Sequence, residues 1–322
     1  MFADQPSHPI SKVAQSVLRL SDFYIAQPSA ATPWNEEYCQ IAYRNYYLPL
    51  NQLRCTGVVQ RGAQVGFFDG LSHFVDWGCG PGTASLALAA NEKIRKQIKT
   101  QTLFDHSTTV LKSFGDLHSQ LVNVKKTDQL KLKNTPEGQN SLLVFSYSIT
   151  ELEQLPEGWD EFEALMILEP STRDDGRKLL ELREKLKAEG YSIWAPCTHQ
   201  NGCPLLLHSK NDWCHDRFHV QAPEWFSEVE AQLPMRNRTI TTSYLLARRK
   251  PAPLTTKARL TGDSLEEKGK NRQLVCRSEA REFLAWMHKS IEPQTLNRGD
   301  LVDLPSDIEV KSNELRLHSP VE

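Results

Sequence analysis

The run Asp76-Trp77-Gly78-Cys79-Gly80-Pro81-Gly82-Thr83 constrains this chain more than any other stretch of its sequence. Glycines at every second position suit a backbone that turns sharply and lets a ligand approach closely. The flanks narrow the choice. Residues 73–77 read as a strand, and residues 84–97 as a helix. A strand, a glycine loop and a helix N-terminus make a ligand cradle, because the first helical N–H groups are unpaired and carry partial positive charge. Asp76 puts a carboxylate at the strand end, suited to the ammonium of a bound amino acid. Asp105 closes the next strand-like run, where an acid would grip a ribose hydroxyl pair. A dinucleotide site calls for Gly-x-Gly-x-x-Gly. The alternation here is instead the S-adenosylmethionine (SAM) form of methyltransferases. The expected cofactor-binding residues are Asp76, Gly78, Gly80, Gly82, Thr83 and Asp105.

Strand-like runs continue at 102–105, 121–124, 142–147, 164–168, 191–195 and 240–247, interleaved with helical stretches at 107–114 and 176–189. The last helix sets Leu179, Leu180, Leu182 and Leu186 on its apolar side. This alternation predicts an α/β fold, a Rossmann-like class I methyltransferase sheet, over residues 71–250. Residues 1–70 lack strand alternation and read as a helical N-terminal extension. Its tyrosines Tyr38, Tyr43, Tyr46 and Tyr47 are expected in the core rather than as stacking platforms for bases. Residues 196–239 make an unusually long connection, a Cys-rich insertion. A boundary falls near 250–254, at Pro251 and Pro253, and residues 251–322 read as a small, basic, β-rich C-terminal module with a hairpin around 273–286.

The 322 residues are 39% apolar, enough for a core, and no stretch approaches the ~20 apolar residues of a membrane span. Residues 1–12 show neither a secretory signal nor an Arg-rich transit segment, so a cytoplasmic, membrane-free monomer is expected. Net charge is −2, which gives no global pull toward nucleic acid. Residues 233–290 nevertheless hold 13 Lys or Arg against 5 Asp or Glu, a local +8 able to meet phosphates.

Seven cysteines, an odd number with no export signal, argue against a disulfide framework. Cys39, Cys55 and Cys79 read as small apolar residues. Cys197, Cys203 and Cys214 crowd into the long insertion beside Pro, Gly and Trp. Thiolates there suit zinc or an iron–sulfur centre. A fourth ligand must come from elsewhere: Cys276, with His199 and His215 as alternatives. No Asn/Asp-Pro-Pro-aromatic tetrapeptide follows the fourth strand, where Ser146-Tyr147-Ser148-Ile149-Thr150-Glu151-Leu152 stands instead. Glu169 closes the fifth strand in Glu169-Pro170-Ser171-Thr172, and no catalytic base is assigned.

Over residues 34–301 the chain resembles the methyltransferase-like assembly factors of the mitochondrial small ribosomal subunit and their bacterial relatives. The resemblance rests on the glycine loop, on residues 146–152, on Leu168-Glu169-Pro170, on Ala195-Pro196-Cys197 through Cys203-Pro204-Leu205, on Asp212-Trp213-Cys214-His215 and on Gly269-Lys270 through Cys276. It implies a SAM-type fold, a part in ribosome assembly and translation, and the small subunit or its rRNA as partner. It also implies a 4Fe-4S cluster on Cys197, Cys203, Cys214 and Cys276. Two other readings compete: a SAM-dependent methyltransferase for a small molecule or protein, with a structural zinc, and a non-catalytic binding factor.

Overall fold

A computed structural model of the protein describes residues 2–27, 30–133, 140–149, 152 and 154–322. The chain divides into two units, Met1–Ile167 with Phe218–Ile240, and Leu168–Arg217 with Thr241–Glu322.

The first unit begins with α1 (Ile10–Ala26), α2 (Glu37–Ala42), a π-helical turn at Tyr43–Tyr47 and α3 (Leu48–Gln64). Val13, Val17 and Leu20 recur at helical spacing on α1, and all three are fully buried. They share a core with Cys39, Tyr46, Phe226 and Val229. Tyr46 stacks on Phe226 at 5.2 Å, which is the core role expected of it.

The alternating part follows: β1 (His73–Trp77), α4 (Thr83–Ala90), α5 (Glu92–Gln97), β2 (Thr100–Phe104), α6 (Thr108–Ser113), α7 (Gly115–His118), β3 (Val124–Thr127), β4 (Ser141–Ser146) and β5 (Ala164–Glu169), whose last two residues fall in the second unit. The order is β3-β2-β1-β4-β5. β1 lies parallel to β2 and β4, with His73 opposite Thr100 and Ser141. All six residues of β5 are buried, as a continuous apolar run in a covered sheet must be.

Two details differ from the sequence reading. The helix expected over 84–97 is two helices. Asn91 breaks it by taking an extended conformation and accepting a hydrogen bond from Ile94 N–H at 3.2 Å, the N-cap role asparagine favours. The third strand begins at Val124 rather than at 121. Leu121 packs with Phe114 in the core, and the strand itself is an edge carrying exposed Lys125 and Lys126, which discourages pairing with another chain.

The second unit contains α8 (Arg173–Ala188), β6 (Ser192–Ala195), α9 (Pro204–His208) and the start of β7 (Asp216–His219). After α10 (Glu224–Ala231), which belongs to the first unit, comes β8 (Thr239–Arg248). The stretch 196–239 is therefore built from helix and strand. Sheet order continues β5-β8-β6, with β7 also on β8 and β6 antiparallel to β8. An antiparallel strand inserted before the last edge is the class I methyltransferase variant of the Rossmann-like sheet.

Six further strands form a second sheet: β9 (Ala258–Glu267), β10 (Lys270–Cys276), β11 (Glu282–Met287), β12 (Leu301–Val302), β13 (Glu309–Lys311) and β14 (Glu314–Leu317), in the order β12-β9-β10-β11-β14-β13. β11 and β14 are parallel, and the other neighbours are antiparallel. Counting β12 and β13 as one strand interrupted at 303–308 gives the five-stranded OB-barrel connectivity. Leu260, Val275, Leu284, Trp286, Leu315 and Leu317 fill its interior. At the β9–β10 bulge a Cβ on Gly262 would come within 2.7 Å of Leu274 Cβ, so only glycine fits. No described helix is long and apolar enough to cross a membrane.

Candidate functional site

The glycine loop joins β1 to α4 in the first unit. Gly78, Gly80 and Gly82 have φ of 64°, 51° and 80°, a conformation L side chains resist. Gly82 starts α4 and Thr83 is its first residue. The loop curls back on the sheet: Cys79 N–H donates to Phe104 O at 2.9 Å, and Gly82 N–H to Cys79 O at 2.8 Å. Asp105 clamps it. Its Oδ2 accepts Gly80 N–H and its Oδ1 accepts Ser107 N–H, both at 2.9 Å.

Asp76 lies deeper, only 1% exposed. Ser85 Oγ donates to its Oδ2 at 2.7 Å, while Oδ1 is buried and has no hydrogen-bond partner among the described residues. Burial pushes the carboxyl up to about 6 against the pull of Ser85. This carboxylate oxygen thus lies orphaned beneath the glycine loop.

Four further residues lie against or beside the loop, and two of them, Tyr147 and Ser148, belong to the stretch 146–152 singled out in the sequence. His118, 37 residues along, is buried, and its Nε2–H donates to Pro81 O at 3.0 Å. Burial lowers its imidazole below the usual range. Ser148 donates to Trp77 O at 3.0 Å, and a Cβ on Gly78 would come within 2.9 Å of Ser148 Cβ. Tyr147, beside it, holds φ of 59°, a conformation sparsely populated by aromatic residues. Of the stretch 146–152, Thr150 and Glu151 lie outside the described residues. Trp34, from the helical extension, lies 3.6 Å from where a Cβ on Gly80 would stand.

The second unit brings Cys197, Cys203, Cys214 and Cys276 to the wall of one cavity, with Arg183, His199 and Arg259. Cys203 caps α9, and Cys276 ends β10. Arg183, 1% exposed, donates from Nε to Cys197 Sγ at 3.1 Å and from Nη2 to the carbonyls of His199 and Asn201 at 3.1 and 2.9 Å. Arg259, 2% exposed, donates from Nη1 to Cys214 Sγ at 2.9 Å and pairs with buried Asp216. His199 Nε2 lies 3.4 Å from Cys276 Sγ. Burial pushes the Cys203 thiol up to about 11, with repulsion from Cys197 and Cys214 adding to it. Burial also holds Cys276 well above the usual thiol range, and the other three cysteines raise it further. His215 sits apart from the sulfurs, against Arg298. Among the described residues no three His, Cys, Asp or Glu side chains converge as ligands of a single ion. The remaining cysteines are buried, and burial pushes Cys39 and Cys55 up to about 12, as expected of apolar filler.

The family model for "Mitochondrial small ribosomal subunit Rsm22" matches residues 65–284, which span both sites. The chain belongs to this family. No curated protein matches it. Solved structures with a similar fold include an O-methyltransferase family protein from Burkholderia thailandensis (13% identity, 77% of this chain and 74% of that chain, TM-score 0.38). Two others are M. capricolum TrmK with S-adenosyl-homocysteine (10%, 61% and 69%, 0.34) and ribosomal protein L11 methylase from Lactobacillus delbrueckii subsp. bulgaricus (12%, 64% and 80%, 0.32). None of these distant likenesses carries an argument about substrate.

In this Rsm22-family chain the basic excess of residues 233–290 is smaller at the surface than its count implies. Among the described residues, at least six of the 13 cations pair with carboxylates: Lys257 with Asp303, Arg259 with Asp216, Lys270 with Glu314, Arg272 with Glu267, Arg277 with Glu282 and Arg281 with Asp212. Four of those acids lie outside the segment.

Proposed function

We propose that this Rsm22-family protein binds SAM at its glycine loop and acts on the small ribosomal subunit, methylating its RNA or assisting its assembly. The observation that carries the cofactor part is the unpartnered Asp76 Oδ1 beneath three left-handed glycines. Asp76 would take the ammonium of SAM and Asp105 the ribose hydroxyls, while the N-terminus of α4 offers partial positive charge. Bound SAM supplies an electrophilic methyl group, and the chain's part is to hold and orient it. A role in assembly without transfer is favoured by the Ser146-Tyr147-Ser148 segment that replaces a catalytic tetrapeptide. The family name points to the mitochondrion rather than to the cytoplasm. Calorimetry with SAM, followed by transfer of labelled methyl to isolated small subunits, tests the reading. Absence of SAM binding at millimolar concentration sinks the cofactor part. Methyl transfer to a metabolite but not to subunits sinks the ribosomal part.

We further propose that the cavity lined by the four cysteines is where a 4Fe-4S cluster would bind. A structural zinc on the same sulfurs is the alternative, since four thiolates suit either centre. A cluster binds each thiolate through its own iron and tolerates wider spacing. Cys197, Cys203, Cys214 and Cys276 would hold it, with guanidinium N–H groups donating to the sulfurs of Cys197 and Cys214. Bound there, it would supply a redox-capable cross-link between the insertion and β10. Iron and sulfide analysis of anaerobically purified protein decides: stoichiometric zinc in a colourless protein removes the cluster.

A further inference from the structure

Arg183 on α8 and Arg259 on β9 are almost completely buried, and each spends a nitrogen on a cysteine sulfur. Burial of a guanidinium is costly, and a thiol is a weak acceptor. Each guanidinium also meets a carboxylate, Arg183 that of Glu184 and Arg259 that of Asp216, and turns a further N–H onto a sulfur. Both arginines are also anchored. Arg183 is fixed by the carbonyls of His199 and Asn201, and Arg259 by Asp216, which in turn accepts Tyr244 O–H at 3.1 Å. The cations therefore cannot swing away when the charge on the sulfurs changes.

We propose that Arg183 and Arg259 are positioning residues that set the reduction potential of the centre held by the four cysteines. The proposal rests on the cluster reading above. A 4Fe-4S core held there would take one electron from a reductant such as dithionite, and the added negative charge would fall partly on its sulfurs. A fixed N–H donor with a full positive charge, in a low-dielectric site, stabilises the reduced form more than the oxidised one. The two arginines thus raise the potential and keep the reduced cluster bound.

The test uses the full-length, anaerobically purified protein. Its midpoint potential is measured by spectroelectrochemical titration with dithionite, after iron and sulfide analysis. Arg183→Met should shift the potential to more negative values at unchanged iron content. Arg259→Met is combined with Asp216→Asn, so that no buried carboxylate is orphaned, and should shift it the same way. Arg281→Met, which removes an arginine paired with Asp212, should leave it unmoved. Should Arg183→Met fail to fold, Arg183→Lys keeps the charge without the planar fork and is expected between wild type and the neutral variant. Wild-type potentials in the Arg183 and Arg259 variants, with full iron content, overturn the proposal. Zinc in the wild-type protein overturns the cluster reading itself, and the metal analysis separates that failure before any potential is read.

Discussion

Asp76 and the cavity cysteines meet burial with opposite provisions. Asp76 is buried with one hydroxyl donor and no cation against it among the described residues. Cys197 and Cys214 each face a buried guanidinium. The glycine loop is thus left electrostatically incomplete, as suits a cationic ligand that arrives and leaves. The cysteine cavity carries guanidinium N–H donors at two of its sulfurs, which the proposed anionic centre would meet. Buried charge without a partner is costly, and that cost supports the occupant proposed for each site.

The largest test of this contrast is Cys276→Ser. If the four thiols share one centre, metal-linked folding energy on the order of 10 kcal/mol is at stake. Iron content should fall at least ten-fold, and hydrogen exchange should accelerate across 258–287 while 73–104 keep their protection. Retained iron would mean that β10 supplies no ligand.

Asp76→Asn comes next and should act in two directions. The carboxyl is raised from 3.8 to about 6, so folding favours its protonated form. Stability of the ligand-free protein therefore falls as pH rises from 3.8 through about 6. Asparagine removes that penalty, adding up to about 3 kcal/mol at neutral pH. SAM affinity should drop about ten- to hundred-fold in the same variant. Wild-type affinity should itself rise over that pH window, and a variant that binds SAM normally would place the ammonium elsewhere.

Gly78→Ala should cost about 2 kcal/mol, since φ is 64° and the new Cβ meets Ser148 Cβ at 2.9 Å. Chemical denaturation measures it, and SAM binding should weaken with it while iron content stays constant. Cys55→Ala is expected to be smallest, about 1 kcal/mol in the same experiment with no change in iron. Any loss of iron would blur the line between filler and ligand cysteines.

The glycine loop was legible because it is local. Eight consecutive residues fix a turn through glycine conformation, and apolar runs such as 142–145 and 164–168 declare buried strands. The four cysteines were legible as a set only through family resemblance, since nothing in their spacing selects Cys276 over His199 or His215. Element ends were read less well, as at Asn91, where a polar side chain found a cap inside a helical pattern.

The sequence alone determined the alternating sheet, the loop and Asp76 at its base, because backbone conformation and hydrophobic period act over a few residues. Only the tertiary structure decided that His118 braces Pro81, that Asp105 clamps Gly80, that the last strands take barrel connectivity, and that Arg183 and Arg259 face sulfur. Those partners lie from 14 to 45 residues apart. What joins them is chain closure and shared burial, which no local pattern encodes.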